Sequence, residues 1–392
     1  MQDSSFISQR ALALKPSLTL EINAKAKELK AAGRDICNMS GGEPDFDTPD
    51  FIIEATIEAL KNGITRYGPA SGDPELREAI AKKQTTINNA PTNMENVLVT
   101  NGGKQAIYNL FQITLNPGDE VLIPSPYWLS YPEMVLLAGA KPITIKSSPS
   151  NGFKMDIEEL EASVTENTRL LILNSPSNPT GQVMTKKEME NIANFLRRHP
   201  KILVMSDEIY EFLLAEDQIH YSFASIAPDL INRVFTVNGF AKGWAMTGWR
   251  IGYLIGSKEI IKKASALQSQ STSNVCSFAQ RGALAAIKGP KDSIQKMIAS
   301  YNLRRELLIN GLLQIENINL TKPQGAFYAF PEVINNKLSS IEFCTLALEK
   351  VGLSMVPGIV FGEDSCVRLS CAVSSQTISE GINRLQQFIL SI

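Results

Sequence analysis

Short, almost wholly apolar runs recur through the middle of the chain and are separated by helix-like segments. The runs cover residues 97–100, 120–123, 143–145, 170–173, 202–205 and 234–237, with a weaker one at 253–255. Predicted helices cover residues 104–115 and 186–198, and Thr185 with Glu188 three residues later forms a capping-box pattern before the second. Runs this apolar suit strands that are buried on both faces. The pattern therefore predicts an α/β fold with a mostly parallel sheet covered by helices.

The chain length and a change of pattern near Gly289 predict two domains. At 392 residues the chain exceeds the ~250–300 residues at which a single core stops growing. From residue 289 a long helix (293–313) leads into two isolated strand-like runs, 327–330 and 366–370, which indicates an α+β unit. We assign residues 45–288 to a large domain, and residues 1–44 with 289–392 to a smaller one. A helix over residues 17–32 is expected to pack with the smaller domain.

The charge balance and the cysteine and histidine counts exclude several classes of partner. Lys+Arg 38 against Asp+Glu 40 gives a net charge of -2, which offers no field for nucleic acid or an anionic membrane. The N-terminus lacks the apolar core of a signal peptide, and no apolar run approaches the ~18 residues of a membrane span. With two histidines, five cysteines and no Cys-x-x-Cys pair, we predict no metal site and reduced, cytoplasmic thiols. A small molecule is the predicted partner.

The residues that could carry chemistry follow the ends of the predicted strands, where ligands of open α/β sheets bind. They fall in residues 101–104, 174–181, 206–210 and 239–250. Taken singly, each has an ordinary interpretation: Gly102-Gly103-Lys104 as a tight turn, Asp207 as a helix cap, Lys242 as a solvated lysine. Gly-Gly-Lys lacks the spacing of a P-loop and of a dinucleotide-binding fingerprint. Only the combination is informative.

In this order, the motifs resemble those of the class I and II aminotransferases, which use pyridoxal phosphate. The similarity extends from residues 15–17 to 367–370 and is strongest to the bacterial aspartate aminotransferase subgroup that includes aspartate/prephenate enzymes. The stretch 239–250 fits the family's lysine signature through Gly239, Lys242 and Arg250, and Gly252 follows in its expected place. The resemblance implies a seven-stranded sheet of the pyridoxal-phosphate-dependent transferase fold type I.

The resemblance also assigns residues to the ring end of the cofactor. It implies that Lys242 binds the cofactor aldehyde and then moves a proton on the bound amino acid. Asp207 matches the carboxylate that keeps a proton on the ring nitrogen. Tyr210 and Asn178 match the groups that hydrogen-bond the ring hydroxyl, and Trp128 matches the aromatic side chain that stacks on the ring.

Further positions match the residues that bind the cofactor phosphate. Gly102, Gly103 and Lys104 match a segment that offers backbone N–H groups, and Arg250 matches a guanidinium for which phosphate is a bidentate partner. Tyr67 matches a tyrosine that contacts the phosphate bound in the neighbouring subunit, which implies a homodimer with shared active sites. Relatives often carry hydroxyl side chains where this chain has Gly239 and Ala241.

For the substrate, the resemblance implies a dicarboxylic amino acid. Arg368 matches the arginine that binds the α-carboxylate, and Gly42 matches a glycine whose backbone approaches the substrate. Asn178 and Trp128 would contact the substrate as well. Lys104 and the pair Ser17 and Thr19 stand where the subgroup reads the distal carboxylate. Aspartate and glutamate are the expected amino-group donors, and oxaloacetate and 2-oxoglutarate are the expected acceptors. Prephenate is an open alternative as a substrate.

Three alternative functions can be compared by the sequence features that each of them requires. An aminotransferase of aromatic or alanine type, or a pyridoxal-phosphate-dependent β-lyase, would share the cofactor-binding residues. A transcriptional regulator built on an aminotransferase domain carries a DNA-binding module before it, whereas the aminotransferase pattern begins here by Lys15. An NAD enzyme is disfavoured because no Gly-x-Gly-x-x-Gly follows a strand.

Overall fold

The protein is described from a computed structural model, which covers residues 6–12, 14, 18–334 and 337–392. Fourteen strands cover β1 Cys37–Asn38, β2 Val97–Thr100, β3 Glu120–Pro124, β4 Lys141–Ile145, β5 Thr168–Asn174, β6 Leu203–Asp207, β7 Val234–Gly239, β8 Gly252–Ile255, β9 Ile318–Asn319, β10 Tyr328–Ala329, β11 Glu332–Val333, β12 Leu353–Ser354, β13 Val356–Pro357 and β14 Val367–Ser370 in the described residues. The helices there cover α1 Gln9–Leu12, α2 Leu18–Ala31, α3 Asp50–Lys61, α4 Pro74–Thr86, α5 Gly103–Thr114, α6 Ser130–Leu137, α7 Ile157–Ala162, α8 Lys186–Arg198, α9 Phe223–Ile226, α10 Lys258–Ser271, α11 Ser277–Lys288, α12 Asp292–Leu312, α13 Ser340–Val351 and α14 Ser375–Leu390.

A seven-stranded sheet forms the centre of the fold, in the order β2-β8-β7-β6-β5-β3-β4. The strands from β7 through β6, β5 and β3 to β4 pair in parallel, each with the next. Strand β8 is antiparallel to both of its neighbours, β2 and β7. The mostly parallel sheet predicted from the apolar runs is therefore confirmed. The weaker apolar run, at 253–255, belongs to β8, the antiparallel strand.

Both faces of this sheet are buried, as the composition of the runs predicts. In β5, Leu170 and Ile172 pack into a core with α5, α6 and α10, whereas Leu171 and Leu173 pack on the opposite face with α8. This alternation follows from the two-residue repeat of a strand.

The capping box predicted before α8 is also present, because Thr185 accepts from the Glu188 backbone N–H at 3.2 Å.

The register of the sheet places the ends of three strands side by side. Asn174 of β5 pairs with Asp207 of β6, and Asp207 pairs in turn with Val237 of β7. At the end of β7, Gly239 pairs with Gly252. The residues that follow these strands therefore meet at one edge of the sheet, as parallel pairing requires.

The C-terminal part of the chain forms a second core around α12, α13 and α14. Three short strands join there in the order β10-β14-β13, and β1 pairs with β12. The N-terminal helix α2 packs on this part through Ala26, which clusters with Ile36 and Leu348. The arrangement matches the expected α+β unit, and the domain boundaries at residues 45 and 288 remain a prediction.

Among the described residues, no helix is both long and apolar enough to cross a membrane.

Candidate active site

A cavity of about 490 Å³ lies at the carboxyl ends of the central strands. Its lining contains most of the predicted site residues, namely Gly42, Gly102, Gly103, Lys104, Trp128, Asn178, Asp207, Tyr210, Lys242, Arg250 and Arg368. A larger cavity of about 660 Å³ lies beside α4 and α11, and its described lining includes none of the predicted site residues. The smaller cavity is the candidate site because the charged and polar groups converge there.

Lys242 lies in the turn after β7, with its amine inside the cavity. Its Nζ donates to the carbonyl oxygen of Gly42 and lies 5.7 Å from the ring centroid of Tyr210. Burial, together with the charges of Arg368 and Arg250, lowers the pKa of Lys242 to about 8. A sizeable neutral fraction near neutral pH makes this amine a nucleophile and a base.

Asp207 is the last residue of β6 and is only 5% exposed. Its carboxylate accepts from the Tyr131 hydroxyl at 2.7 Å and from the Ile209 backbone N–H at 3.2 Å. Burial raises the pKa of Asp207 to about 6, because the charged form is poorly solvated there. A cationic ligand group beside this carboxylate would stabilise its charged form.

Another part of the cavity lining is positively charged. Helix α5 begins at Gly103 and presents its N-terminus there, and Arg250 lies against Gly102. A Cβ added at Gly102 would lie 2.6 Å from Arg250 Nη2, so only glycine leaves room for the guanidinium. Burial lowers the pKa of Lys104, and the charge of Arg250 adds to that effect. This concentration of positive charge is suited to an anion such as phosphate.

The Gly102 backbone N–H has a partner within the protein, since it donates to the Thr100 carbonyl at 2.8 Å. Any backbone donation to an anion from this segment would therefore fall to Gly103 and Lys104. Gly239 lies close to β8: an added Cβ would be 3.0 Å from the Gly252 Cα and the Ile251 carbonyl oxygen. A side chain there would require these backbone atoms to shift by a few tenths of an ångström.

Arg368 forms a second cationic centre and is 2% exposed. Its guanidinium donates to Asn178 Oδ1 at 2.9 Å and to the Ser40 carbonyl at 3.0 Å, and its Cζ lies 4.4 Å from the Tyr328 ring centroid. Its Nε has no hydrogen-bond partner among the described residues. A Cβ added at Gly42 would lie 3.9 Å from Arg368 Nη2, so this glycine borders the space beside the guanidinium. The centre is suited to a carboxylate.

Three predicted site residues are not placed in the cavity. Tyr67 is 92% exposed, as a residue that reaches a neighbouring subunit would be in a single chain. Ser17 and the side chain of Thr19 lie outside the described residues. Their predicted roles therefore remain predictions.

Sequence reasoning missed two tyrosines that complete the cavity. Tyr131 donates to Asp207, and its ring packs edge-on against Trp128 with centroids 5.3 Å apart. The Tyr328 hydroxyl lies 3.0 Å from that of Tyr210. Tyr131 stands three residues after Trp128, in the first turn of α6, and its backbone N–H donates to the Trp128 carbonyl at 3.0 Å. This short separation along the chain could have identified it.

Comparison with known proteins assigns the family. Residues 34–385 match the family described as Aminotransferase class I and II. The chain belongs to the class I and II aminotransferases.

Similar aminotransferases align over almost their whole length. A probable aspartate/prephenate aminotransferase of Rickettsia felis is 44% identical, and the alignment covers 99% of this chain and 97% of the relative. An aspartate aminotransferase of Streptomyces avermitilis is 43% identical, with 98% and 96% covered. The structure of aspartate aminotransferase from Thermus thermophilus with maleate has a TM-score of 0.93 at 41% identity, covering 97% of this chain and 99% of that chain. The sheet is thus that of the pyridoxal-phosphate-dependent transferase fold type I.

Class I and II aminotransferases use pyridoxal phosphate, and the cavity of this aminotransferase fits it. The cofactor has a phosphate at one end, and Arg250 with the start of α5 provides a cationic site whose glycine leaves space beside it. Its ring nitrogen is a cation when protonated, and Asp207 is a buried carboxyl of raised pKa. Its aldehyde requires an amine, and Lys242 supplies one whose pKa is lowered to about 8.

Proposed function

We propose that this aminotransferase transfers amino groups between aspartate or glutamate and the 2-oxo acids oxaloacetate and 2-oxoglutarate. The observation that carries the proposal is the convergence of an amine, a buried carboxyl and two separate cationic centres in one cavity. One cationic centre suits the cofactor phosphate, and the second leaves a place for a substrate carboxylate. Prephenate is a further candidate acceptor, because the Rickettsia felis relative carries the name of an aspartate/prephenate enzyme.

Pyridoxal phosphate supplies an aldehyde that binds amines covalently and a protonated ring that withdraws electrons from the bound carbon. Lys242 would hold the cofactor through its amine, and the same amine, when free, would move a proton at the substrate Cα. Asp207 would hold the proton on the ring nitrogen. Tyr210 and Asn178 would hydrogen-bond the ring hydroxyl, and Trp128 would stack on the ring.

Arg250, Gly103 and Lys104 would bind the cofactor phosphate, and Gly102 provides the space for Arg250. Arg368 binds the substrate α-carboxylate, with Asn178 bonded to the same guanidinium at 2.9 Å. Gly42 leaves the path to that carboxylate open.

Lys104 is the residue we assign to the distal carboxylate of the substrate, together with Ser17 and Thr19. Its Nζ lies 4.9 Å from the ring centroid of Trp128, and both residues line the candidate site. A dicarboxylate between Arg368 and Lys104 would be paired at both ends. The Thermus thermophilus enzyme was solved with maleate, which is a dicarboxylate, and this supports the assignment.

Lys104→Ala is expected to lower the preference for aspartate over alanine by about 10- to 100-fold, the effect of losing one charged hydrogen bond. The measurement is kcat/KM for the two donors at saturating pyridoxal phosphate, which separates substrate binding from phosphate binding. Lys104→Arg keeps the charge and serves as the control that should retain most of the preference. An unchanged preference in Lys104→Ala would show that another residue reads the distal carboxylate.

We also propose that the enzyme is a cytoplasmic homodimer. In a dimer with shared active sites, the exposed Tyr67 would contact the phosphate bound in the partner subunit. The described cysteines are all free, which suits a reducing compartment.

The proposed function is tested by the visible absorption of the purified protein and by a substrate panel. We expect a band from bound pyridoxal phosphate that bleaches with aspartate and returns with 2-oxoglutarate. Faster turnover of aromatic donors or of alanine would indicate an aminotransferase of another specificity, and ammonia release without a 2-oxo acid acceptor would indicate a lyase. A protein that binds no pyridoxal phosphate would contradict the proposal altogether.

A further inference from the structure

The turn after β6 has two faces with different surroundings. Asp207 and Tyr210 line the cavity, whereas the intervening Glu208 and the next residue, Glu211, are buried away from it. Both glutamates are at most 5% exposed. Buried carboxylates are costly unless they are paired and hydrogen-bonded, so the partners of these two define what lies behind the site.

Glu211 is fully paired. Its Oε1 accepts from Lys83 Nζ and from Asn238 Nδ2 at 2.9 Å, and its Oε2 accepts from Asn88 Nδ2 at 2.9 Å. The side chains of Lys83 and Glu211 are each 3% exposed. The pairing with Lys83 lowers the pKa of Glu211 against the effect of burial, so the carboxylate is charged.

Hydrogen bonds continue from this ion pair to the second buried glutamate. Asn88 donates to Gln84 Oε1 at 3.1 Å, and Gln84 donates to Ser222 at 3.1 Å. Ser222 then donates to Glu208 Oε1 at 3.0 Å. The two glutamates of the turn are thus held by one continuous buried network that includes α4.

The same network reaches the strand that leads to Lys242. Asn238, which donates to Glu211, is the next-to-last residue of β7, and its Oδ1 accepts from the Gly239 backbone N–H at 2.7 Å. Glu208 N–H in turn donates to the Val237 carbonyl at 2.9 Å. Glu211 therefore connects the turn that carries Asp207 and Tyr210 to the strand end that carries Lys242.

Stability alone does not account for a charged pair at this place. A buried ion pair is often no more stable than apolar side chains of the same volume, because desolvation offsets the attraction. What an apolar pair would not provide is the directed bond from Asn238 to Glu211, which fixes two strand ends relative to each other. Such fixed geometry is what supporting residues contribute to a reactive centre.

We propose that Lys83 and Glu211, acting through Asn238, are positioning residues that hold the Asp207–Tyr210 turn and the Lys242 turn in register around the cofactor. None of them touches the cavity's reacting groups directly. The proposal rests on the proposed function, since the ligand being held is pyridoxal phosphate.

Replacing the pair together tests this role without leaving one buried charge unpaired. We expect the double variant Lys83→Met/Glu211→Leu to fold, to release pyridoxal phosphate at least about tenfold faster and to lose kcat by a similar factor, the effect of one lost charged hydrogen bond. KM for aspartate should change little, because Arg368 is not part of the network. Cofactor release is followed by absorbance after dilution, and folding by circular dichroism. The exposed pair Lys258 and Glu95, replaced in the same way, is the control that should leave both rates unchanged.

Two single variants decide the question if the double variant does not fold. Asn238→Ser and Asn88→Ser each remove a 2.9 Å bond to Glu211, but only Asn238 lies on the strand that leads to Lys242. Faster cofactor release in Asn238→Ser than in Asn88→Ser supports positioning. Equal release rates in both and in the wild type, with only lower thermal stability, would overturn it. A wild-type protein that binds no pyridoxal phosphate would overturn the proposed function as well, whereas normal wild-type binding with unaffected variants would overturn this inference alone.

Discussion

Lys242→Ala is expected to abolish transamination, with kcat at least about 10²–10⁴-fold below the wild type, the range that a positioned acid–base group contributes. The loss follows from two roles of one amine, holding the cofactor and moving the substrate proton. Both roles need the neutral amine, and burial beside Arg368 and Arg250 lowers the pKa of Lys242 to about 8. The alanine side chain can do neither, and the other lysine of the described cavity lining, Lys104, is assigned to the phosphate and the distal carboxylate.

The measurement for Lys242→Ala has two parts. Turnover is assayed with aspartate and 2-oxoglutarate, and the cofactor attachment is read by mass spectrometry after borohydride reduction. In the wild type the peptide containing Lys242 should carry the added mass, and in the variant no peptide should. Lys258→Ala, an exposed lysine on α10, is the control and should behave as the wild type in both assays. Full activity of Lys242→Ala would contradict the assignment of this residue.

Most of the central sheet could be predicted because strands that are buried on both faces are apolar at almost every position. Runs such as 170–173 are apolar at every position, and Leu170 and Leu171 do lie on opposite buried faces. The direction of β8 was not predictable from composition. It is antiparallel to β2 and β7, and the connection at residues 240–251 returns the chain to β7, where the Phe240 N–H donates to the Ile251 carbonyl at 3.1 Å.

The residues that follow strand ends were predictable as a set, whereas their supporting partners were not. Asp207 and Lys242 stand at fixed places relative to two strands, so their order along the chain points to one edge of the sheet. Tyr131 contacts Asp207 across 76 positions of sequence, and Lys83 contacts Glu211 across 128. Such pairs leave no periodic signal, because only the packing of α6 and α4 on the sheet creates them. In the run Asp207 to Glu211, composition alone does not indicate which of the three acidic side chains faces the cavity.

Asp207→Asn is the second substitution with a large expected effect, a loss of about 10²–10³-fold in kcat, which is typical when one preorganised electrostatic group is removed. The amide has nearly the shape of the carboxyl but no charge to keep a proton on the cofactor ring nitrogen. Without that proton the ring withdraws electrons poorly from the substrate Cα. Asp207→Glu retains the charge at a shifted position and should recover part of the rate. Normal kcat in Asp207→Asn would show that the ring proton is held by another group.

The same carboxyl predicts how cofactor affinity depends on pH. Burial raises the pKa of Asp207 to about 6, so in the cofactor-free protein the group is neutral below that pH and charged above it. Only the charged form pairs with a protonated ring, and affinity for pyridoxal phosphate is therefore expected to fall as the pH drops through about 6. This affinity is measured by fluorescence titration of the cofactor-free protein with pyridoxal phosphate between pH 5 and 8. Because one proton is linked to binding, the affinity should fall by at most ~10-fold for each pH unit below the pKa.

Tyr131→Phe removes a hydrogen bond that lowers the Asp207 pKa, so the fall in affinity should begin at higher pH. Asp207→Asn should bind weakly throughout and lack this step, and the same step in that variant would assign the titration to Lys242, whose pKa is about 8, or to the cofactor itself.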